Sequence, residues 1–183
     1  TSGTDTIVAT HGSERNPSLC ATCHVSRFAV NDPATGSFVF QATGHLFNAI
    51  PCLDAKGLPT TGDCAISQRT FAACAGSGCH GSGDVARSAM LAVEGRFSLL
   101  DSTLTHMIAK IPGTEFSDTD GRYTTGEGAK FNLSLSRAPG AYVHNPFLIE
   151  ALMTASIKQI TSDYGISASD KVNLNTILPT LVH

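Results

Sequence analysis

Four cysteines and two histidines form two short motifs in the first half of the chain. The first is Cys20-Ala21-Thr22-Cys23-His24, and the second runs from Cys74 to Cys79-His80, with four residues between its thiols. Two thiols at a fixed separation can bond to the two vinyl groups on one edge of a porphyrin, and the histidine that follows can bind the iron from below. The motifs predict two c-type haems (haem C), with the six residues that attach the porphyrins and bind their iron being Cys20, Cys23, His24, Cys74, Cys79 and His80.

A thiol pair of this kind also occurs in zinc knuckles and in redox disulfides. Neither of these requires a histidine directly after the second cysteine, which both motifs have. No thioredoxin-like strand and helix pattern surrounds either pair. The sequence therefore favours haem at both sites, and most clearly at the first, where the spacing is the shorter one.

The composition is typical of a globular chain. Of the 183 residues, 42% are apolar and 15% are charged, and 17 glycines and 8 prolines predict short helices joined by long irregular segments. We expect one domain, mainly α with little β structure, packed around two haems. Residues 1–19 would form an N-terminal arm, 20–97 the haem-attachment region and 98–183 a helical region that supplies a distal ligand.

Hydrophobic periodicity and capping residues predict the regular elements. A short strand is expected at 37–41, and helices at about 82–95, 98–110, 129–137 and 145–163, with one more in the tail 169–183. The predicted helix ends depend on a capping box at Thr124 and Glu127, the cap Asn145 before Pro146, and the terminator Gly165. The residues expected to face inward are Val85, Ala89 and Ala92 or Val93, then Leu100, Leu104, Met107, Ile108 and Ile111, then Phe131 and Leu135, and finally Ile149, Leu152, Met153 and Ile160.

Two cysteines remain after the haem anchors, and they indicate the compartment. Cys52 and Cys64 flank a turn-rich segment, and a disulfide between them would be expected only in an oxidising environment. Two free buried thiols are the alternative. Since haem is attached to thiols outside the cytoplasm, we expect a periplasmic or extracellular protein, with Thr1 as a mature N-terminus after removal of a signal peptide.

Charge and hydropathy argue against two classes of partner. The formal net charge is −3 and no basic run is present, so nucleic acid is not an expected partner. No apolar window approaches the length of a transmembrane helix. The run from Asp118 to Gly121 lacks the ligand spacing of a calcium loop, and we interpret it as a solvated turn.

The second axial ligand of each iron decides the function, because an open position would bind substrate. Five histidines remain for this role. His144 directly precedes the predicted helix start at Asn145, His45 lies in an apolar segment, and His11 lies nine residues before Cys20 on the arm. These three are the candidate distal ligands, and bis-histidine ligation of both haems is the leading interpretation.

The other possible ligands are weaker candidates. His106 projects away from the apolar stripe of its predicted helix, and His183 is the terminal residue. Methionine would raise the reduction potential as an axial ligand. Two of the methionines, Met107 and Met153, fall on predicted apolar stripes, where methionine usually fills the core, and Met90 is unassigned.

The chain resembles the multihaem c-type cytochromes of bacterial and archaeal respiration. The resemblance rests on the two cysteine–histidine motifs and on the stretch from Gly128-Ala129-Lys130-Phe131-Asn132 through Val143-His144-Asn145-Pro146. In that family a His-Asn-Pro sequence at a helix start looks like a recurring distal-ligand element, which implies this role for His144. A histidine shortly before the first attachment motif is similar to a distal ligand of small multihaem cytochromes, which implies the same for His11.

The sequence thus predicts an electron carrier rather than an enzyme, working with redox partner proteins in an extracytoplasmic respiratory chain. One alternative is a haem enzyme with a five-coordinate iron that reduces peroxide or a nitrogen oxide. The spare histidines and the lack of an acid–base cluster argue against it. The other is a subunit of a polymeric extracellular wire, in which a histidine such as His11 binds a neighbour's haem. Two haems in 183 residues are few for the family, so such a homo-oligomer or filament would need haem contacts between subunits.

Overall fold

Helices dominate the computed structural model, which describes residues 11, 18, 20–25, 27–43, 47–75, 79–117, 119 and 121–168. Within these residues there are five α-helices: α1 Cys20–His24, α2 Gly83–Ile108, α3 Thr125–Ser136, α4 Ala141–His144 and α5 Pro146–Tyr164. Three 3-10 helices span Ile66–Gln68, Ala72–Cys74 and Gly113–Phe116. The expectation of a mainly α chain with little sheet is confirmed. The predicted tail helix at 169–183 lies outside the described residues.

The strands form two small antiparallel pairs. β1, Arg27–Asn31, pairs with β2, Phe38–Thr43, and β3, Cys52–Leu53, pairs with β4, Pro59–Thr60. The turn between β1 and β2 is held by Asp32, whose Oδ1 accepts from the backbone N–H of Ala34 at 2.8 Å and of Thr35 at 3.0 Å. The predicted strand at 37–41 corresponds to β2, whereas its partner β1 carried no clear alternation and was not expected.

Backbone contacts group the described residues into two compact units. The first lies within the range Gly12–Met90 and contains α1, both strand pairs and two of the 3-10 helices. The second runs from Leu91 onward and also includes His11. The two haem motifs therefore belong to one unit, whereas His11, His106 and His144 belong to the other.

The apolar core of the second unit is built from α2, α3 and α5. The predicted stripe is confirmed, since Leu100, Leu104 and Met107 of α2 and Ile111 just after it are buried, and Ile108 is partly buried against the same core. Ile149, Met153 and Ile160 of α5 are buried as predicted and are joined by Ile157. Full burial of each such side chain stabilises the fold by about 1.5–3 kcal/mol, so this stripe holds the helices together.

Two expectations about α2 were wrong. α2 does not end near Gly95 but continues as one helix of 26 residues, because a lone glycine costs only about 1 kcal/mol and Phe97 and Leu100 are buried just beyond it. Ala86 and Met90 are buried in its first half and Val85 is 54% exposed. Val93 packs against the core as predicted. Small apolar residues occur at several spacings in this part of the sequence, so their pattern does not define a single face of the helix.

The third helix differs from its prediction in the same way. α3 begins at Thr125 rather than at 129, and Phe131 is 56% exposed, while Ala129 and Leu133 are buried instead. Its capping box is confirmed, since Thr124 Oγ1 accepts from the N–H of Glu127 at 3.2 Å and Glu127 Oε2 accepts from the N–H of Thr124 at 2.8 Å. The local signal for the helix start was sound. Of the two residues predicted to face inward, Leu135 packs against the core and Phe131 is exposed.

The predicted ends of α5 are also confirmed. Asn145 Oδ1 accepts from the N–H of Leu148 at 3.4 Å, and Pro146 occupies the first helical turn. Gly165 ends the helix in a left-handed conformation with φ +66°. These caps rest on neighbouring residues alone, which is why the sequence was enough to place them.

A disulfide joins Cys52 and Cys64, with 6.0 Å between their Cα atoms. The alternative of two free thiols is therefore wrong. The enclosed loop is ordered by Asp54, whose Oδ1 accepts from the backbone N–H of both Lys56 and Leu58 at 2.8 Å. Cys52 itself is buried, so the covalent bond closes a loop that is already hydrogen-bonded internally.

Replacing both cysteines, Cys52→Ala with Cys64→Ala, should lower the free energy of unfolding by about 3 kcal/mol, because the unfolded chain regains the freedom of an open loop. Chemical denaturation followed by circular dichroism measures this. Reductant should lower the stability of the native protein by a similar amount and leave the double variant unchanged. If reductant lowered the stability of both proteins equally, the bond sensitive to reductant would not be the one between Cys52 and Cys64.

A charged pair is packed inside the helical unit. Arg96 Nε of α2 donates to Glu150 Oε1 of α5 at 2.8 Å, and the Glu150 side chain is almost fully buried. Among the described residues, Glu150 Oε2 and Thr154 Oγ1 have no hydrogen-bond partner. Burial raises the pKa of Glu150 above its ordinary value of 4.5, and the Arg96 guanidinium opposes this rise only in part.

The stability of the protein should therefore depend on pH through Glu150. A group whose pKa is raised by folding stabilises the fold fully below its ordinary pKa and loses that contribution as the pH rises through the raised value. Glu150→Gln should remove this loss, so its melting temperature should fall less than that of the native protein from about pH 4.5 upward. Calorimetry across this range tests it.

The matched control is Glu94→Gln, which neutralises an exposed carboxylate on α2, the helix that carries Arg96. It should leave the pH dependence of the melting temperature as it is in the native protein. Equal flattening of the pH profile by both variants would show that the effect comes from net charge and not from burial of Glu150.

Candidate haem-attachment sites

The first motif forms the single-turn helix α1. The N–H of Ala21 donates to the carbonyl of Ser18 at 3.0 Å and starts the turn. Residues three and four apart share one helix face, so the helix places the thiols of Cys20 and Cys23 and the imidazole of His24 on one side. Cys20 is exposed and the other two are half-buried. A porphyrin edge approaching this face would meet both thiols and the imidazole together.

The imidazole of His24 is oriented by the residue Phe47. His24 Nδ1 lies 2.8 Å from the carbonyl oxygen of Phe47, and because a carbonyl can only accept, Nδ1 must carry the proton. The neutral tautomer then presents its lone pair at Nε2, the nitrogen through which an imidazole held in this way binds a metal. The Phe47 ring also stacks on the imidazole, with 4.6 Å between the centroids and 18° between the planes.

The backbone of Phe47 has an uncommon conformation. Its φ is +48°, and among the described residues it is the only one other than glycine with a positive φ. A left-handed conformation costs a residue with a Cβ roughly 1–2 kcal/mol, and such strain occurs where the surroundings hold a residue in place. Here the residue is held by the hydrogen bond and the ring stack with His24. Nothing in the local sequence around Phe47 indicated this contact.

The second motif begins in the 3-10 helix Ala72–Cys74. The N–H of His80 donates to the carbonyl of Cys74 at 3.3 Å. This backbone hydrogen bond joins the first cysteine of the motif to its histidine. Part of that spacer, residues 76–78, lies outside the described residues. Cys79 is exposed, and Cys74 and His80 are half-buried.

The two motifs lie against each other within the first unit. α1 packs on the 3-10 helix Ala72–Cys74, and all four motif cysteines are free thiols. Burial, followed by the nearby thiols of Cys23 and Cys79, raises the pKa of Cys74 to about 11. The pKa of Cys23 is raised by burial and by the neighbouring Cys79 and Cys20. The thiols of the two motifs therefore influence one another directly.

The donor set fits haem C. Four reduced thiols in two pairs are each followed by a histidine, and the ring of His24 is held in the tautomer that binds iron through Nε2. In the described part of the chain, no group of three or more histidine, cysteine or acidic side chains could hold a metal ion by itself. A porphyrin needs one imidazole for each iron, which each motif supplies.

Among the candidate distal ligands, His144 lies at the end of a short helix. It ends the four-residue helix α4 and is exposed, and the cap Asn145 follows it directly. Its imidazole lies over the backbone of Gly140 and occupies the space that a methyl group on that residue would fill. His11 is half-buried in the same unit. His45, a further candidate, lies outside the described residues.

The weaker ligand candidates differ in what the structure describes of them. His106 is exposed in the last turn of α2, and His183 lies outside the described residues. Met107 and Met153 are 1% and 0% exposed in the apolar core, and Met90 is 9% exposed. Core packing therefore accounts for these three thioethers.

Comparison of the chain with protein-family models, with curated proteins and with solved structures gives no match. The resemblance to multihaem cytochromes therefore stays an expectation drawn from the motifs.

The order of thiol reactivity should follow this geometry in haem-free protein made in a reducing cytoplasm. A pKa of about 11 leaves roughly 100-fold fewer Cys74 thiolates at pH 8 than the ordinary value of 9.0. Pulse alkylation followed by peptide mass spectrometry should label exposed Cys20 well before Cys74. In denaturant the two rates should become equal, and equal rates in the folded protein would contradict the burial of Cys74.

Proposed function

We propose that the protein is a dihaem c-type cytochrome that carries single electrons in an extracytoplasmic respiratory chain, with both irons ligated by two histidines. The observation that carries the proposal is the hydrogen bond from His24 Nδ1 to the carbonyl of Phe47 at 2.8 Å. It prepares the imidazole directly after Cys23 to bind a metal through Nε2. A histidine with no ligand role would not require a hydrogen-bond acceptor such as Phe47, whose backbone is in a strained conformation.

The haem iron, when bound, supplies one-electron exchange between Fe(III) and Fe(II). The protein's own contribution is to hold the imidazoles and to set their basicity. The carbonyl of Phe47 makes the His24 ring a stronger donor, which favours Fe(III) and lowers the reduction potential. Because the ring is also stacked on Phe47, it has little freedom to reorient when the charge on the iron changes.

The contact between the two motifs supports electron exchange within one molecule. Cys23 belongs to α1 and Cys74 to the 3-10 helix that packs on it. After burial, the pKa of Cys74 is raised by Cys23 of the first motif, and the pKa of Cys23 is raised by Cys79 of the second. The attached edges of two porphyrins would then be neighbours in one compact unit. An electron could pass between them without movement of the surrounding backbone.

The disulfide supports a location outside the cytoplasm, because such bonds persist in oxidising compartments. Cys52 and Cys64 form it within the same unit as the haem motifs. None of the helices in the described ranges is long and apolar enough to cross a membrane. Periplasmic or extracellular redox proteins are the partners we propose.

The distal ligands are proposed from His144, His45 and His11. The setting of His144 favours it as a ligand, because it is the last residue of α4 and directly precedes the cap of α5. A ligand whose backbone is fixed at both sides loses little freedom when it binds.

His144→Ala should convert one of the two haems from low-spin to high-spin, because the iron loses an axial imidazole. Low-temperature EPR of the oxidised holoprotein measures the spin states, and intact-mass analysis counts the attached haems. The matched control is His106→Ala, which removes another exposed helix-end imidazole. It should leave both haems low-spin.

Other outcomes would redirect the proposal. A high-spin signal or rapid binding of cyanide in the native protein would favour the haem enzyme. Loss of assembly in His11→Ala with both haems retained would favour the polymeric wire. A native chain that carries zinc and no haem would overturn the proposal altogether.

A further inference from the structure

We propose that Gly140 is the residue that positions the His144 imidazole, because only a residue without a side chain leaves room for the ring. The inference rests on the proposed function, in which His144 is a distal iron ligand. It assigns a role to a residue outside the two attachment motifs.

The backbone at Gly140 starts α4. Its φ is +76° and its ψ is 7°, in the left-handed region. Its carbonyl accepts from the N–H of Val143 at 2.9 Å and from the N–H of His144 at 2.8 Å. His144, the last residue of α4, is therefore hydrogen-bonded directly to Gly140, the cap that precedes the helix.

The side chain of His144 folds back over this turn. A Cβ built on Gly140 would lie 2.7 Å from His144 Cε1 and 2.8 Å from Nδ1, but 3.6 Å from Nε2. Real Cβ atoms essentially never lie within 3.0 Å of such atoms, so an alanine methyl at position 140 would displace the His144 ring from this place. The Nδ1–Cε1 edge of the imidazole is thus the one that faces Gly140, and Nε2 is the nitrogen farther from it.

The contact limits the ring orientation because the backbone of His144 is already constrained. That backbone lies between its bond to Gly140 and the Asn145 side chain that caps α5. A methyl group at position 140 would force a side-chain torsion of His144 to turn. Since an axial ligand must hold its geometry within about 10–20°, a turned ring would no longer present the same nitrogen to an iron.

The chain offers a matched control for backbone strain. Gly165 ends α5 with φ +66° and ψ 15°, close to the conformation of Gly140, and a Cβ there would meet nothing within 4 Å. Gly165→Ala therefore introduces the strain of a left-handed alanine without any collision. Gly140→Ala introduces a similar strain and the overlap with the imidazole as well.

The test compares Gly140→Ala, Gly165→Ala and His144→Ala as holoproteins secreted with their haems. Intact mass first establishes that two haems are attached, and EPR then measures the low-spin signal. We expect Gly140→Ala to lose about half of the low-spin intensity, as His144→Ala does, since one iron of two loses its second imidazole. Gly165→Ala should keep the native spectrum.

A double-variant cycle covers the case in which Gly140→Ala folds poorly. Alanine at position 140 should lower the melting temperature by less in the His144→Ala background than in the native one, because the ring it would strike is gone. Equal losses in both backgrounds would overturn the inference. So would a native spectrum in Gly140→Ala, or the same spectral loss in Gly165→Ala.

Different results would overturn the distal role of His144 and the positioning role of Gly140. A chain without haem, or a His144→Ala variant whose irons both stay low-spin, removes the distal role of His144 and with it the ligand-positioning role of Gly140. A high-spin iron in His144→Ala together with a native spectrum in Gly140→Ala leaves the electron carrier intact and overturns only the role of Gly140.

Discussion

The hydrogen bond between His24 Nδ1 and the carbonyl of Phe47 links the attachment helix to a segment 23 residues away. It decides which imidazole nitrogen carries the proton, and therefore which nitrogen can bind iron. It also requires Phe47 to keep a positive φ, which a residue with a Cβ adopts only under constraint. The ring stack between the two residues adds an apolar contact to the same constraint. The orientation of the proposed proximal ligand thus depends on a distant backbone group.

The rest of the chain provides two different kinds of support. In the first unit, where regular structure is sparse, a disulfide and the Asx-type turns at Asp32 and Asp54 order the loops. In the second unit, an apolar stripe on α2 packs against α3 and α5 and encloses the Arg96–Glu150 pair. His144 lies in this second unit, so a candidate distal ligand is presented by helices with a conventional core.

The accuracy of the sequence predictions followed the range of the interactions involved. The capping box at Thr124, the cap Asn145 and the terminator Gly165 were placed correctly, since each acts on residues within one helical turn. The stripe of large aliphatic residues from Leu100 was also correct. The break expected at Gly95 was wrong, because packing of residues beyond it outweighs a small propensity cost.

The sequence by itself determined the chemical groups of the candidate site and their local spacing: the thiol pairs, the histidine after each pair and the spare cysteines that form the disulfide. These depend on covalent distance along the chain, which the order of residues contains. The tertiary structure decided that the Phe47 carbonyl orients His24, that the thiols of the two motifs are neighbours, and that His144 lies over Gly140. Such contacts depend on torsion angles and on packing between distant segments, and many sequences with the same motifs could arrange them differently.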